Sequence, residues 1–130
     1  MEMVIGIIML ALVEYQIFSF KVGMSRVKYG VDAPAISGDP VFERIYRVQQ
    51  NTLEQLILFI PAILAFSFTA EAQGWMGNEI ATGLGLVWIA GRALYSKAYV
   101  ADPKSRTVGF LMTFFPSVVM ILGTLICIVL

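Results

Sequence analysis

Phe42 to Pro61 reads FERIYRVQQNTLEQLILFIP, a stretch in which a charged, hydrogen-bonding pattern runs straight into an apolar one. Arg44, Arg47, Asn51 and Glu54 recur at steps of three, four and three, which places them on one stripe of an α-helix. Glu54 lies seven residues beyond Arg47, roughly 10 Å further along the axis at the α-helical rise. The apolar run that follows is membrane-crossing material, so the lower end of the stripe lies inside a bilayer. An ionised side chain near the centre of a spanning helix costs about 2.5–3.5 kcal/mol on insertion scales and persists where it faces a partner or a wet cavity. The stripe is therefore the first candidate site.

Composition sets the setting for that helix. Of 130 residues, 58% are hydrophobic and 14% are charged, and the mean hydropathy is +0.81, far from a soluble mixture. The chain reads as a single domain, residues 1–130, of an all-α integral membrane protein. Nine basic residues balance nine acidic ones, and without a basic block or an interleaved aromatic face nucleic acid is not a partner. One cysteine, Cys127, leaves no internal disulfide, and with no histidine the usual zinc and haem ligand sets cannot assemble, so no metal site is expected. The first apolar segment has neither a basic leader nor a convincing small-residue cleavage site and reads as a retained span.

Four spans follow in order. Met3 to Phe20 is the first, interrupted by Glu14 and Gln16 and ended at an interface by Lys21. Glu14 is either a buried carboxylate that binds a cation or one partner of an interhelical bond. Gly23 to Pro40, rich in Gly, Pro, Ser and Asp, reads as a loop carrying Arg26 and Lys28. Asp39 and Pro40 read as an N-cap with proline at the first helical position, and the second helix runs from there to Ala70, bent near Pro61. The third runs from Ile80 to about Ser96, with Gly83, Gly85 and Gly91 permitting close approach of a neighbour. Arg92, Tyr95 and Tyr99 share one of its faces, where an arginine commonly snorkels toward water. Asp102 and Pro103 repeat the cap-plus-proline start, which places Arg106 in the first turn of a fourth helix, uncharged from Thr107 to Leu130.

Lys21, Arg26, Lys28, Arg44 and Arg47 flank the first connection and Lys97, Lys104 and Arg106 the third, while the second has no basic residue. The positive-inside rule puts the first and third connections in the cytosol. Arg26, Arg47, Asn51, Glu54, Tyr95, Tyr99 and Arg106 then gather at the cytosolic membrane surface of a bacterial inner membrane or an endoplasmic reticulum.

Several arginines, a buried carboxylate, amides and phenols suit a small zwitterion with more than one carboxylate and an amine. Arginine forks bind carboxylates bidentately, and Glu54 can accept from an ammonium group. Glutathione has these groups and a thiol. A thiol of pKa about 8.5 is only about 3% ionised at pH 7, and lowering that pKa by two units makes it about three-quarters thiolate, a preference of about 2.7 kcal/mol. An arginine at a helix N-terminus is a source of such stabilisation, and Arg106 is so placed.

These residues resemble a family, the membrane-associated proteins in eicosanoid and glutathione metabolism (MAPEG), which includes microsomal glutathione transferases and leukotriene and prostaglandin synthases. The resemblance covers nearly the whole chain and is carried by FERIYRVQQNTLE at Phe42 to Glu54, by Pro61, and by GRALYSKAY followed by DPKSR at Gly91 to Arg106. It implies a four-transmembrane-helix bundle assembled as a homotrimer, with glutathione between neighbouring subunits. It implies, further, that Arg26 is a carboxylate ligand, that Arg47, Gln49, Asn51 and Glu54 are second-helix ligands, that Tyr95 and Tyr99 are third-helix contacts, and that Arg106 activates the thiol. Gln55, also among the candidate ligands, stands where the leukotriene synthase has a tyrosine, and Val27 where it has a second arginine. Thr107 replaces a serine of the prostaglandin synthase. The expected activity is that of a generalist glutathione transferase or peroxidase acting on a hydrophobic electrophile or lipid hydroperoxide drawn from membrane lipid. A non-enzymatic lipid-binding scaffold of the same family is the second reading, and a small proton-coupled exporter working through Glu14 the third.

Overall fold

The computed structural model describes residues 1–130 and contains four α-helices, one short 3-10 turn and no strand. The helices are α1 (Glu2–Tyr29), α2 (Pro40–Ala72), α3 (Gly77–Ala101) and α4 (Thr107–Val129), with the 3-10 turn Pro103–Ser105 between α3 and α4. Three segments, Glu2–Tyr29, Pro40–Ala72 and Pro103–Val129, are long and apolar enough to cross a membrane. The α3 helix has 25 residues, about 37 Å at the α-helical rise, but Glu79, Arg92, Lys97 and its glycines dilute its apolar content.

The first helix is longer than its sequence suggests. It does not stop at Lys21 but runs through Gly23, Arg26 and Lys28 to Tyr29, and Gly30 closes it in the left-handed conformation at φ 68°. Gly23 does not end it because a lone glycine costs a helix only about 1 kcal/mol, whereas Gly30 supplies the positive φ of a C-terminal cap. Val31 N–H donates to Arg26 O at 3.0 Å, and Arg26 and Lys28 in the last turn complement the helix dipole.

The start of α2 is the expected one. Asp39 accepts from the N–H groups of Val41 and Phe42 at 2.9 and 3.0 Å, with Pro40 at the first helical position. The helix then continues to Ala72 without a break at Pro61. The α3 helix likewise exceeds the expected Ile80–Ser96, so that Lys97 and Tyr99 are helical. Asp102 and Pro103 open the 3-10 turn and not α4 itself. Arg106 is consequently the N-cap residue, just ahead of the helix and not inside its first turn.

The core is a stack of side chains from all four helices, including Val4, Ile7 and Ala11 of α1, Phe59, Ile63 and Phe66 of α2, Trp88 of α3 and Met120 of α4. Phe59 and Trp88 stack with ring centroids 4.4 Å apart, a geometry worth about 0.5–1.5 kcal/mol beyond area burial. At the other end of the bundle α3 and α4 touch backbone to backbone. A Cβ at Gly91 would lie 2.6 Å from Met112 Cβ and 3.1 Å from Gly109 O, and one at Gly109 would overlap the backbone of Tyr95. Gly85 admits Ile7 and Ile63 in the same way, whereas Gly83 faces open space. The close seam of α3 and α4 brings the tyrosine face of α3 to the start of α4.

Candidate functional site

A cavity of about 420 Å³ lies where the first turns of α2, the end of α3 and the start of α4 meet. Its walls are Arg47 and Asn51 from α2, Tyr95 and Tyr99 from α3, and Arg106, Thr107 and Phe110 from the α4 end. Each element contributes side chains at helical spacing: four apart on α2, four apart on α3, and three apart between Thr107 and Phe110 on α4.

Arg106 is exposed at the mouth of this cavity. As the N-cap residue of α4 it accompanies the unpaired N–H groups and the positive end of the helix dipole, so that two sources of positive potential coincide. Opposite it, Arg47 makes a bidentate pair with Glu54, Nη1 to Oε2 at 3.3 Å and Nη2 to Oε1 at 3.2 Å. The two side chains are 46% and 54% exposed, so the pair holds the Arg47 fork in place without contributing much stability. Tyr95 and Tyr99 stack with centroids 5.4 Å apart and planes inclined by 13°, giving the cavity one flat phenolic wall.

The residue that ties this wall to the α2 stripe is Arg92. It does not snorkel. It is fully buried, donates from Nη1 to Asn51 Oδ1 at 2.8 Å and to Thr52 Oγ1 at 3.4 Å, and lies 4.3 Å from the centroid of the Tyr95 ring. Helical spacing places Arg92 on the face of Tyr95 and Tyr99 but does not say that this face packs inward. Phe110 was likewise missed, although its position four residues past Arg106 puts it on the same side of α4.

Four sequence candidates stand outside the cavity wall. Arg26 braces the first connection, donating to Ala35 O at 2.7 Å and Val31 O at 3.4 Å, with its guanidinium 4.9 Å from the Phe42 ring centroid. Gln49 lies half a turn away from Arg47 and Asn51 on α2 and donates to Ser19 Oγ of α1 at 3.0 Å. Glu54 reaches the site only through Arg47. Gln55 has a buried Oε1 with no hydrogen-bond partner in the chain. Arg44 of the stripe donates to Val100 O at 3.3 Å, fastening α2 to the end of α3.

A second, larger cavity of about 660 Å³ opens between α1, α2 and α3. Ile17, Phe18, Ile45 and Val48 line it, with Glu14, Lys21 and Lys97 as its charged members. Phe18 and Val48 also pack against the buried Tyr95, which therefore stands between the two cavities.

The sequence model of the MAPEG family matches residues 4–126. An uncharacterized protein of Synechocystis is 40% identical over 119 residues, which cover 92% of this chain and 82% of that protein. Microsomal glutathione S-transferase 2 of Homo sapiens is 44% identical over 94 residues, 72% of this chain and 59% of the human protein. Leukotriene C4 synthase of Bos taurus is 36% identical over 90 residues, 68% of this chain and 55% of the synthase. The matched stretch thus spans less than two thirds of either of these enzymes.

Proposed function

The chain belongs to the MAPEG family, and from that membership and the cavity at the head of α4 we propose that it is a membrane-bound glutathione transferase. The observation that carries this reading is the convergence of Arg106 with Arg47, Asn51, Tyr95 and Tyr99 on one cavity. The similarity to microsomal glutathione S-transferase 2 supports glutathione as the co-substrate.

Glutathione occupies the polar cavity. Arg47 offers a carboxylate the N–H donors that its pair with Glu54 leaves free, Asn51 offers its amide, and the phenol wall limits how the peptide lies. Arg106 and the N–H groups of the first α4 turn stabilise the thiolate. The thiol proton passes to solvent, the sulfur lone pair forms a bond to an electrophilic carbon, and the electron pair of the breaking bond leaves with the departing group. With a lipid hydroperoxide, two glutathiones give their disulfide, the lipid alcohol and water.

Each of the four helices is a membrane span in this reading, α3 included, and residues 1–130 form one domain. Arg26 and Gln49 face away from the cavity of their own chain, which favours a homotrimer in which a neighbouring copy supplies them. The apolar substrate reaches the thiolate from the bilayer. The basic first and third connections support a cavity that faces the cytosol, in a bacterial inner membrane or an endoplasmic reticulum.

The non-catalytic lipid-binding reading has one observation in its favour, the 660 Å³ cavity with an apolar wall. Calorimetry of the detergent-purified protein with glutathione, followed by turnover against a panel of hydrophobic electrophiles and lipid hydroperoxides, separates the two. Glutathione binding with conjugation or peroxide reduction is the expected result. Co-purified fatty acid with no turnover on any member of the panel would favour the lipid binder.

A further inference from the structure

Arg92 is 0% exposed and is the one charged side chain among the fully buried residues of the bundle. Burying a guanidinium costs several kcal/mol unless its donors are matched. Here only Nη1 is matched, by Asn51 Oδ1 at 2.8 Å and, at longer range, by Thr52 Oγ1 at 3.4 Å, while Nε and Nη2 have no partner in the chain. Arg92 is absent from the cavity wall, yet both groups it engages most closely, Asn51 and the Tyr95 ring, line it.

A guanidinium has five donors and no acceptor, so the end of the Asn51 amide turned toward Arg92 has to be its oxygen. The NH₂ end, with its two donors, is thereby reserved for the cavity. Without that anchor the amide is free to turn over and present a lone pair where an anionic ligand needs a donor. The Tyr95 ring is held as well. Arg92 lies 4.3 Å from its centroid, Phe18 and Val48 pack against it, and the ring meets Tyr99 in the 5.4 Å stack.

We propose that Arg92 is a positioning residue of the glutathione site: from behind the wall it fixes Asn51 as a donor toward the ligand and holds the Tyr95 ring in place, without touching the ligand itself. This rests on the glutathione reading and extends it to a residue outside the cavity.

The test is a double-mutant cycle on the full chain in detergent, with the glutathione dissociation constant read by calorimetry for the parent protein, Arg92→Met, Asn51→Ala and the double variant. Each single substitution is expected to weaken binding about tenfold. The double variant is expected to bind within about threefold of Asn51→Ala alone, because Arg92 acts mainly through Asn51. Parent-like affinity in Arg92→Met overturns the proposal, and so does a double loss equal to the product of the single losses. If Arg92→Met does not fold, Arg92→Lys takes its place in the cycle, since it keeps the charge and gives up the planar fork. Affinity lost in Arg92→Lys but masked in the Asn51→Ala background supports the proposal, and parent-like affinity overturns it. A parent protein that binds no glutathione overturns this proposal together with the transferase reading, whereas a parent that binds with an indifferent Arg92 overturns this proposal alone.

Discussion

Gly109 of α4 lies so close to the backbone of Tyr95 in α3 that no side chain fits between them. The same seam carries Gly91, whose missing Cβ makes room for Met112 and for Gly109 O. Backbone contact at these two glycines sets the distance between the phenol wall and Arg106. The chemistry of the cavity thus depends on residues that have no functional group.

Gly109→Val is expected to destabilise the bundle by about 1–3 kcal/mol through overpacking and to weaken glutathione binding by displacing α4 from Tyr95. Gly83→Ala is the matched control. Gly83 faces open space, and alanine in a helix interior is worth up to about 1 kcal/mol over glycine. Thermal melting in detergent should therefore fall for Gly109→Val and hold or rise for Gly83→Ala. Equal melting of the two variants would contradict the packing account.

Glu54→Gln separates stability from ligand handling. The Arg47–Glu54 pair is about half exposed at both ends, so its removal should cost no more than about 1 kcal/mol of stability. It also releases the fork of Arg47 at the cavity wall. Little change in melting with a several-fold weaker glutathione affinity is the expected pattern. A large loss of melting temperature with intact affinity would show that the pair is structural.

Asp39→Ala tests the first connection. Asp39 caps two N–H groups of α2, and loss of an N-cap costs about 1 kcal/mol. Arg26 holds the same connection through Val31 and Ala35. Hydrogen exchange of the first turn of α2 should accelerate in this variant, while the amides around the Phe59 and Trp88 stack in the middle of the bundle stay protected. Unchanged exchange at Val41 and Phe42 would contradict the assigned cap.

Those outcomes bear on how much of the molecule is written in its residue order. Local chemistry was legible wherever a short motif decides it, as in the cap at Asp39 and Pro40 or the helical stripe from Arg44 to Glu54. The end of α1 was not, because Gly23 and Gly30 look alike in a sequence and differ only in whether the backbone needs a positive φ there. Arg92 was assigned to the correct face of α3 and to the wrong destination. Spacing defines a face, but only the packing of α3 on α2 turns that face inward to Asn51. Arg26, Gln49 and Gln55 do not line the cavity, because a residue's place near the stripe does not say which neighbour its side chain meets, the first connection for Arg26 and Ser19 of α1 for Gln49.

The central claim is that Arg106, at the head of α4, keeps glutathione in its thiolate form. It is tested most directly by the ultraviolet difference spectrum of glutathione bound to the parent protein and to Arg106→Ala, with occupancy matched by calorimetry. The parent should show thiolate absorbance at neutral pH, and Arg106→Ala should bind glutathione while losing most of that absorbance and about a hundredfold of turnover, on the scale of removing one stabilising donor from a developing anion. Undiminished thiolate absorbance and turnover in Arg106→Ala would contradict the account.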